Sequence, residues 1–232
     1  KDFSAAAQEM LDESCKNLHA LTRPEFDALV AVEGGRSNEA DAAVLARLAG
    51  EGLVNRTSEG ASLTTAGFMS LEPYRARRAV FFAAGFGSRM LPITVNTPKP
   101  LVRVHGKRFI ERLIDAVLAA GIEEIYVIRG YLPDEFDVLL KQYPEIHFID
   151  NPIYAETNNI PSAVAAVKAV PECFQNAYAF ESDLYLTDPR YISKYQYRSS
   201  YLGFPVEETL DWYFETDESG RITQFEEKPP HP

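Results

Sequence analysis

The residues best suited to chemistry lie in Ala83-Ala84-Gly85-Phe86-Gly87-Ser88-Arg89-Met90-Leu91-Pro92 and, just after it, Thr97-Pro98-Lys99-Pro100-Leu101. This stretch follows directly on Val80-Phe81-Phe82-Ala83, an apolar run of the kind that forms a buried parallel strand. In an open α/β sheet, ligands bind beyond the carboxyl ends of such strands. Gly85 and Gly87 let backbone N–H groups approach and cradle phosphate oxygens. Arg89 can pair with phosphates through its fork of donors. Lys99, between two prolines, sets a cation at one point of a stiff loop. Fixed cations serve phosphoryl or nucleotidyl transfer, because negative charge grows on non-bridging and leaving oxygens. A GxG after a strand is also an ordinary tight turn. No GKS or GKT follows to make a P-loop, and residue 90 is Met where the dinucleotide fingerprint needs glycine.

The complete string is more specific than its glycines. AAGFGSRMLP together with TPKPLVRVHGKRFIE resembles the signature of the nucleotidyltransferases that make nucleotide-diphosphate sugars and cytidine-diphosphate alcohols. The resemblance covers about residues 79–232. It implies that Ala83, Ala84 and Gly85 line the base and ribose, that Gly87, Ser88 and Arg89 hold the triphosphate, and that Lys99 meets the phosphates at the reacting centre. It also implies a Mg²⁺ ligand at Asp183, in Glu181-Ser182-Asp183-Leu184-Tyr185. A hard cation wants carboxylate oxygens, and the ion neutralises charge on the triphosphate. Asp at a strand end is otherwise a common turn or helix cap. Glu181, on the same strand face as residue 183, is a candidate second ligand.

Three further features bear on the acceptor. Thr157-Asn158-Asn159-Ile160-Pro161-Ser162 resembles the NN-x-x-S segment of bacterial choline-phosphate cytidylyltransferases. There Asn158 and Asn159 would read a pyrimidine edge and Ser162 would help shape the acceptor pocket. Helix capping accounts for the same residue types. Trp212, the sole Trp, matches a position where an aromatic face meets a trimethylammonium, which cannot donate hydrogen bonds and is held by cation–π contact. It is equally an ordinary half-buried strand residue. Third, the run from Asp183 through Tyr185, an expected acceptor contact, and on to Asp211 follows the choline-type order. In contrast, Phe225-Glu226-Glu227-Lys228-Pro229 resembles the F-x-E-K-P segment of sugar-1-phosphate enzymes. The chain ends at Pro232, sooner than that family's pattern, so a second metal-binding Asp and part of the pocket are expected beyond it.

These residues need a scaffold. From Arg78 onward strands alternate with helices: strands at 80–83, 124–128, 146–149 and 177–181, and helices at 109–120, 133–142 and 161–170. Pieces at 201–204, 212–214 and 222–225 read as strands without intervening helices. The expected fold is α/β, a Rossmann-like three-layer arrangement with a mixed sheet, over residues 77–232. Residues 1–76 read as helices at 5–18, at 23–33 and at 39–49, the last capped by Ser37. A hairpin at 53–64 and a short helix capped by Thr65 follow. That order resembles a winged helix-turn-helix domain, with the helix before the recognition helix missing or very short. Residues 1–78 carry nine Lys/Arg against twelve Asp/Glu, so the positive face that DNA phosphates require is lacking. A helical packing domain is favoured over a DNA binder.

The whole chain of 232 residues has net charge −11, which argues against a general nucleic-acid partner. Cys15 and Cys173 form no disulfide framework or zinc ligand set. No stretch has the roughly 18 apolar residues of a membrane span. The reading is a cytoplasmic cytidylyltransferase that uses Mg²⁺ and CTP and joins CMP to phosphocholine. The alternatives are a sugar-1-phosphate or aminoethylphosphonate nucleotidyltransferase, or a DNA-binding regulator with a nucleotide-sensing domain.

Overall fold

The computed structural model describes residues 20–58, 60–155, 159–203, 205–209 and 213–226. The helix expected at 5–18, Asn158 and Trp212 lie outside these residues.

The first helix, Arg23–Glu33, starts where Glu25 folds back to accept from the Thr22 amide at 2.7 Å, with Pro24 in its first turn. A single 3₁₀ turn, Ser37–Glu39, stands where the missing helix was expected. It also displaces the expected cap. Asp41, not Ser37, begins the helix Ala42–Gly50, its carboxylate accepting from the amides of Ala43 and Val44 at 2.8 and 3.0 Å. Strands β1 (Val54–Thr57) and β2 (Gly60–Leu63) form the expected antiparallel hairpin. Thr64 rather than Thr65 caps the short helix Thr65–Leu71, because its hydroxyl is the one that accepts from Gly67 N.

Strands β3 (Arg78–Ala83), β6 (Glu124–Arg129), β7 (Ile146–Asp150) and β8 (Ala177–Glu181) form a parallel sheet in the order β7-β6-β3-β8. Between β3 and β6 lies a tiny hairpin that the periodicity did not signal, β4 (Arg103–Val104) with β5 (Lys107–Arg108). Alternation along the strands sends residues to two cores. Phe81, Ile125 and Val127 pack on the helix Phe109–Ala119 through Ile110, Leu113, Ile114 and Val117. Val80, Ile128 and Ile149 share the other face with Ala166 of the helix Asn159–Ala169. The result is the three-layer arrangement expected. Pro161 sits in the first turn of its helix, where its missing N–H costs nothing.

The helix expected at 133–142 is instead a 3₁₀ stretch, Pro133–Leu139. Its buried side chains, Phe136 and Leu139, stand three residues apart, which matches the 3₁₀ repeat, where i and i+3 share a line. Tyr201–Gly203 is not a strand. The antiparallel part is a separate ladder, β9 (Tyr213–Thr216) against β10 (Ile222–Glu226).

The described residues up to Arg198 form one compact unit and those from Ser199 onward a second. Within the first unit, the segment 193–197 ties the helical part to the sheet. Ala76 N donates to Lys194 O at 2.9 Å and Gln196 N to Tyr74 O at 2.8 Å. Tyr195 is buried in the core of the helical part. The Tyr197 ring stacks on Tyr74 at 5.9 Å and tilts against Phe26, and its hydroxyl donates to Leu21 O. This junction lies at the amino-terminal edge of the sheet, where Arg77 N bonds to Asn176 O ahead of β8. Among the described residues no helix is long and apolar enough to cross a membrane.

Gly67 tests the packing of the helical part. A Cβ there would meet Leu53 O at 2.1 Å, while one at Gly50 meets nothing within 4 Å. Gly67→Ala is expected to lower stability by about 1–3 kcal/mol. Gly50→Ala, in a helix and unobstructed, should raise it by about 0.5–1 kcal/mol. Urea unfolding of the two variants beside the parent measures both.

Candidate active site

The strand order reverses direction at β3: β6 and β7 lie on one side of it and β8 on the other. In open α/β sheets ligands bind at such a switch point, which here lies beyond the carboxyl ends of β3 and β8. The loop after β3 is the glycine segment, and the loop after β8 carries Asp183.

Ala83 and Ala84 are buried and Gly85 is exposed. Tyr131 N donates to Ala84 O at 3.1 Å. Gly130 permits this approach, since a Cβ on it would come within 2.6 Å of Tyr154 and 2.9 Å of the Ala84 methyl. Gly87 has φ +64, in the left-handed region that glycine enters freely. Its carbonyl accepts from Thr94 Oγ1 and from Met90 N, both at 2.9 Å. A Cβ on Gly87 would meet Lys99 Cβ at 3.0 Å and Thr94 Cγ2 at 3.1 Å. The glycine loop and the lysine segment thus close on each other at Gly87. Ser88 and Arg89 follow in an exposed 3₁₀ turn, and Arg89 is ion-paired with no carboxylate among the described residues.

Lys99 opens the 3₁₀ turn Lys99–Leu101, fixed by the buried Pro100 and Leu101. Its ammonium pairs with a carboxylate oxygen of Asp183, 84 residues away, with both side chains about three-quarters buried. Ser182, also buried, fastens this second loop to β3: its hydroxyl donates to Phe82 O at 2.6 Å. Tyr185, on the same loop, stands edge-on to Phe109 at 6.5 Å. Glu181 is exposed at the end of β8.

Other expected residues fall elsewhere. Ser162 is buried, and its hydroxyl accepts from Asn151 Nδ2 at 3.0 Å, which pins the exit of β7. Asn159 is the first residue of its helix. Phe86, Tyr131 and Tyr154 form an aromatic wall beside the glycine loop, with Phe86 centred 5.0 Å from Tyr131 and 5.2 Å from Tyr154. Sequence reasoning missed this wall and Gly130. The signal available was the tyrosine directly after Gly130, at the end of an apolar strand.

Among the described residues no group of three or more His, Cys, Asp or Glu side chains could hold a metal. The loop after β8 offers the carboxylate of Asp183 beside Lys99. One carboxylate fits a Mg²⁺ ion, which keeps several waters and binds through one or two carboxylates plus substrate phosphates.

A family model described as nucleotidyl transferase matches residues 78–232. The chain is 40% identical over 148 residues to a 2-aminoethylphosphonate cytidylyltransferase of Lancefieldella rimae, which spans 63% of this chain and 59% of that protein. It is 39% identical over 109 residues to a choline-phosphate cytidylyltransferase of Streptococcus pneumoniae, 47% of this chain and 45% of that one. A solved structure of CTP:phosphocholine cytidylyltransferase from S. pneumoniae superposes with a TM-score of 0.59 at 32% identity, covering 65% of this chain and 64% of that one. The chain thus spans roughly half to three-fifths of the curated relatives it matches.

Gly87→Ala tests the cradle. The left-handed backbone costs an L-residue about 1–2 kcal/mol, and the methyl pushes on Lys99. If the variant relaxes that backbone and must restore it to bind CTP, affinity should fall about five- to thirtyfold, since about 1.4 kcal/mol is a factor of ten. Calorimetric titration gives the answer, and unchanged affinity in a variant of unchanged melting temperature would remove Gly87 from the nucleotide site.

Proposed function

Because the chain belongs to the nucleotidyl transferase family over residues 78–232, we propose that its site transfers CMP from CTP to a small acceptor that joins a phosphorus oxyanion to an ammonium group. The observation that carries this reading is the meeting of Lys99 with Asp183 at the switch point, beside the glycine loop. That arrangement puts a cation for phosphates and a carboxylate for a divalent ion at one place. Relatives named for cytidylyl transfer to 2-aminoethylphosphonate and to choline phosphate support the base and the class of acceptor.

In this reading an acceptor P–O⁻ oxygen attacks the α-phosphorus of CTP in line. The new P–O–P bond forms as the bond to the β-phosphate oxygen breaks, and pyrophosphate leaves. The acceptor is already an anion, so no protein nucleophile or general base is needed. Catalysis reduces to alignment and charge stabilisation. Backbone groups of Gly85 and Gly87 cradle the triphosphate. Arg89 and Lys99 draw off the charge that grows in the transition state. Asp183 would hold Mg²⁺, which supplies charge neutralisation on the phosphates. Lys99 must leave Asp183 for both to act, and the incoming triphosphate provides the alternative partner.

The acceptor divides the two relatives. A trimethylammonium calls for an aromatic face, for which Trp212 is the candidate, whereas a primary ammonium calls for carboxylates and carbonyls. A DNA partner gains no support. The helix Ala42–Gly50 exposes Ala42, Ala43 and Ala46, and its one arginine, Arg47, is paired with the buried Glu25 at 2.9 Å.

Pyrophosphate release by the full-length protein, from each nucleoside triphosphate against phosphocholine, 2-aminoethylphosphonate and sugar 1-phosphates, tests the proposal. CTP with one of the two ammonium acceptors should be turned over best, and preference for a sugar phosphate overturns it. Arg89→Ala and Lys99→Ala should each lower turnover about 10²–10³-fold, the loss typical of one charge-stabilising donor. If phosphocholine is the acceptor, Trp212→Ala should cost about 0.5–2 kcal/mol in its recognition and leave CTP binding unchanged. Equal loss for both ammonium acceptors would dismiss the aromatic contact.

A further inference from the structure

Arg112 is not accounted for by anything above. It stands in the first turn of the helix Phe109–Ala119, whose neighbouring residues Ile110, Leu113 and Ile114 are locked in the core. Its guanidinium lies over the ring of Tyr185, with Cζ 4.8 Å from the ring centre. Phe109, three residues earlier, meets the same ring edge-on. Arg112 Nη2 reaches Val104 O only at 3.4 Å, and its Nε is shut from solvent with no acceptor among the described residues. A guanidinium normally turns its donors toward in-plane acceptors. Here its contacts among the described residues are the ring face and one long hydrogen bond.

The position of Tyr185 gives this stack its meaning. Asp183 sits between two attachments. Ser182 is fastened to Phe82 O on one side, and Tyr185 is held by Phe109 and Arg112 on the other. The direct restraint on Asp183, its pair with Lys99, is the one that must open when phosphates claim the lysine. A cation–π contact carries a different property: it neutralises no carboxylate, so it persists when the charges of the site are redistributed.

We propose that Arg112 is a positioning residue, which through Tyr185 holds the loop of Asp183 in place after Lys99 has released the carboxylate. The inference rests on the proposed transferase reading for its consequence, but not for its structural claim. Both Lys99 and Arg112 belong to the segment 99–112, so one stretch of chain grips the Asp183 loop at two points.

Hydrogen exchange of the full protein tests the claim without turnover. In Arg112→Met, amides of residues 182–187 should exchange about two- to fivefold faster, the loss expected for an exposed to half-buried cation–π contact, while those of β3 stay unchanged. Tyr185→Phe keeps the ring and should retain parental protection. Tyr185→Leu, which loses the Phe109 contact as well, should exchange at least as fast as Arg112→Met, and the double variant should be no faster than Tyr185→Leu, because the Arg112 contact is already gone there. With the protein active, Arg112→Met should lower kcat and raise the Mg²⁺ concentration for half-activation, with the affinity for CTP within about twofold, as expected for a group that does not touch the nucleotide. Parental exchange of residues 182–187 in Arg112→Met, or additive effects in the double variant, would overturn the proposal. If Arg112→Met fails to fold, Arg112→Gln, neutral and still able to donate toward Val104 O, decides it by the same exchange. A protein that turns over no acceptor would refute the function and leave the exchange experiment standing.

Discussion

Lys99 and Asp183 are oppositely charged and satisfy each other. With both side chains about three-quarters buried, neither charge is cheap to leave alone, because the low local dielectric that strengthens their attraction also raises the cost of an unpaired ion. On the proposed reading, a site for a triphosphate and a divalent ion needs a cation and an anion a few ångströms apart, and in this pair each serves as the other's counterion. The neighbouring residues are arranged around the pair. Gly87 lacks a Cβ because Lys99 and Thr94 occupy its space, and Ser182 is tied to Phe82 so that Asp183 faces across β3 rather than away from it.

The sheet provides the fixed frame for this exchange. Its central strand, β3, has parallel neighbours on both sides and buried residues on both faces. The loop after β3 thus starts from backbone that cannot shift without breaking two ladders, and the loop after β8 from the single ladder that β8 shares with β3. The helical part is attached at the opposite edge, through Tyr195 and Tyr197, and adds no side chain to the glycine loop among the contacts described. Its packing residues, Phe26 and Tyr74, are engaged by the returning chain. That marks it as a part of the scaffold of the first unit rather than an appendage on a linker.

What was legible in the sequence followed from local physics. The apolar run at Val80, the glycines after it and the period of Ile110, Leu113, Ile114 and Val117 each needed only neighbours to be read. Where two adjacent residues offered the same chemistry, as Thr64 and Thr65 do, local reasoning chose the wrong one by a single position. Asp41 displaced Ser37 because an unanticipated 3₁₀ turn consumed the serine. Long-range meetings left no local trace. The pairing of Lys99 with Asp183, the capture of Ser162 by Asn151 and the stack of Arg112 on Tyr185 depend on sheet order, which periodicity does not state. The return of Tyr195 to the core of the helical part is another such meeting, between residues far apart in the chain.

The charge of the whole protein sets a last condition on the site. A net charge of −11 repels anions. Such repulsion fades over about 8 Å at physiological ionic strength, so beyond the first layers of solvent it has little force. Inside that distance local cations decide. Arg89 is exposed and unpaired with carboxylate among the described residues, whereas Lys99 is paired with Asp183. On the proposed reading that difference orders the events: the exposed arginine captures the triphosphate, and the lysine then exchanges the carboxylate for phosphate oxygens. Only after that exchange would Asp183 be free as an anionic ligand, so that nucleotide binding prepares the carboxylate for the ion.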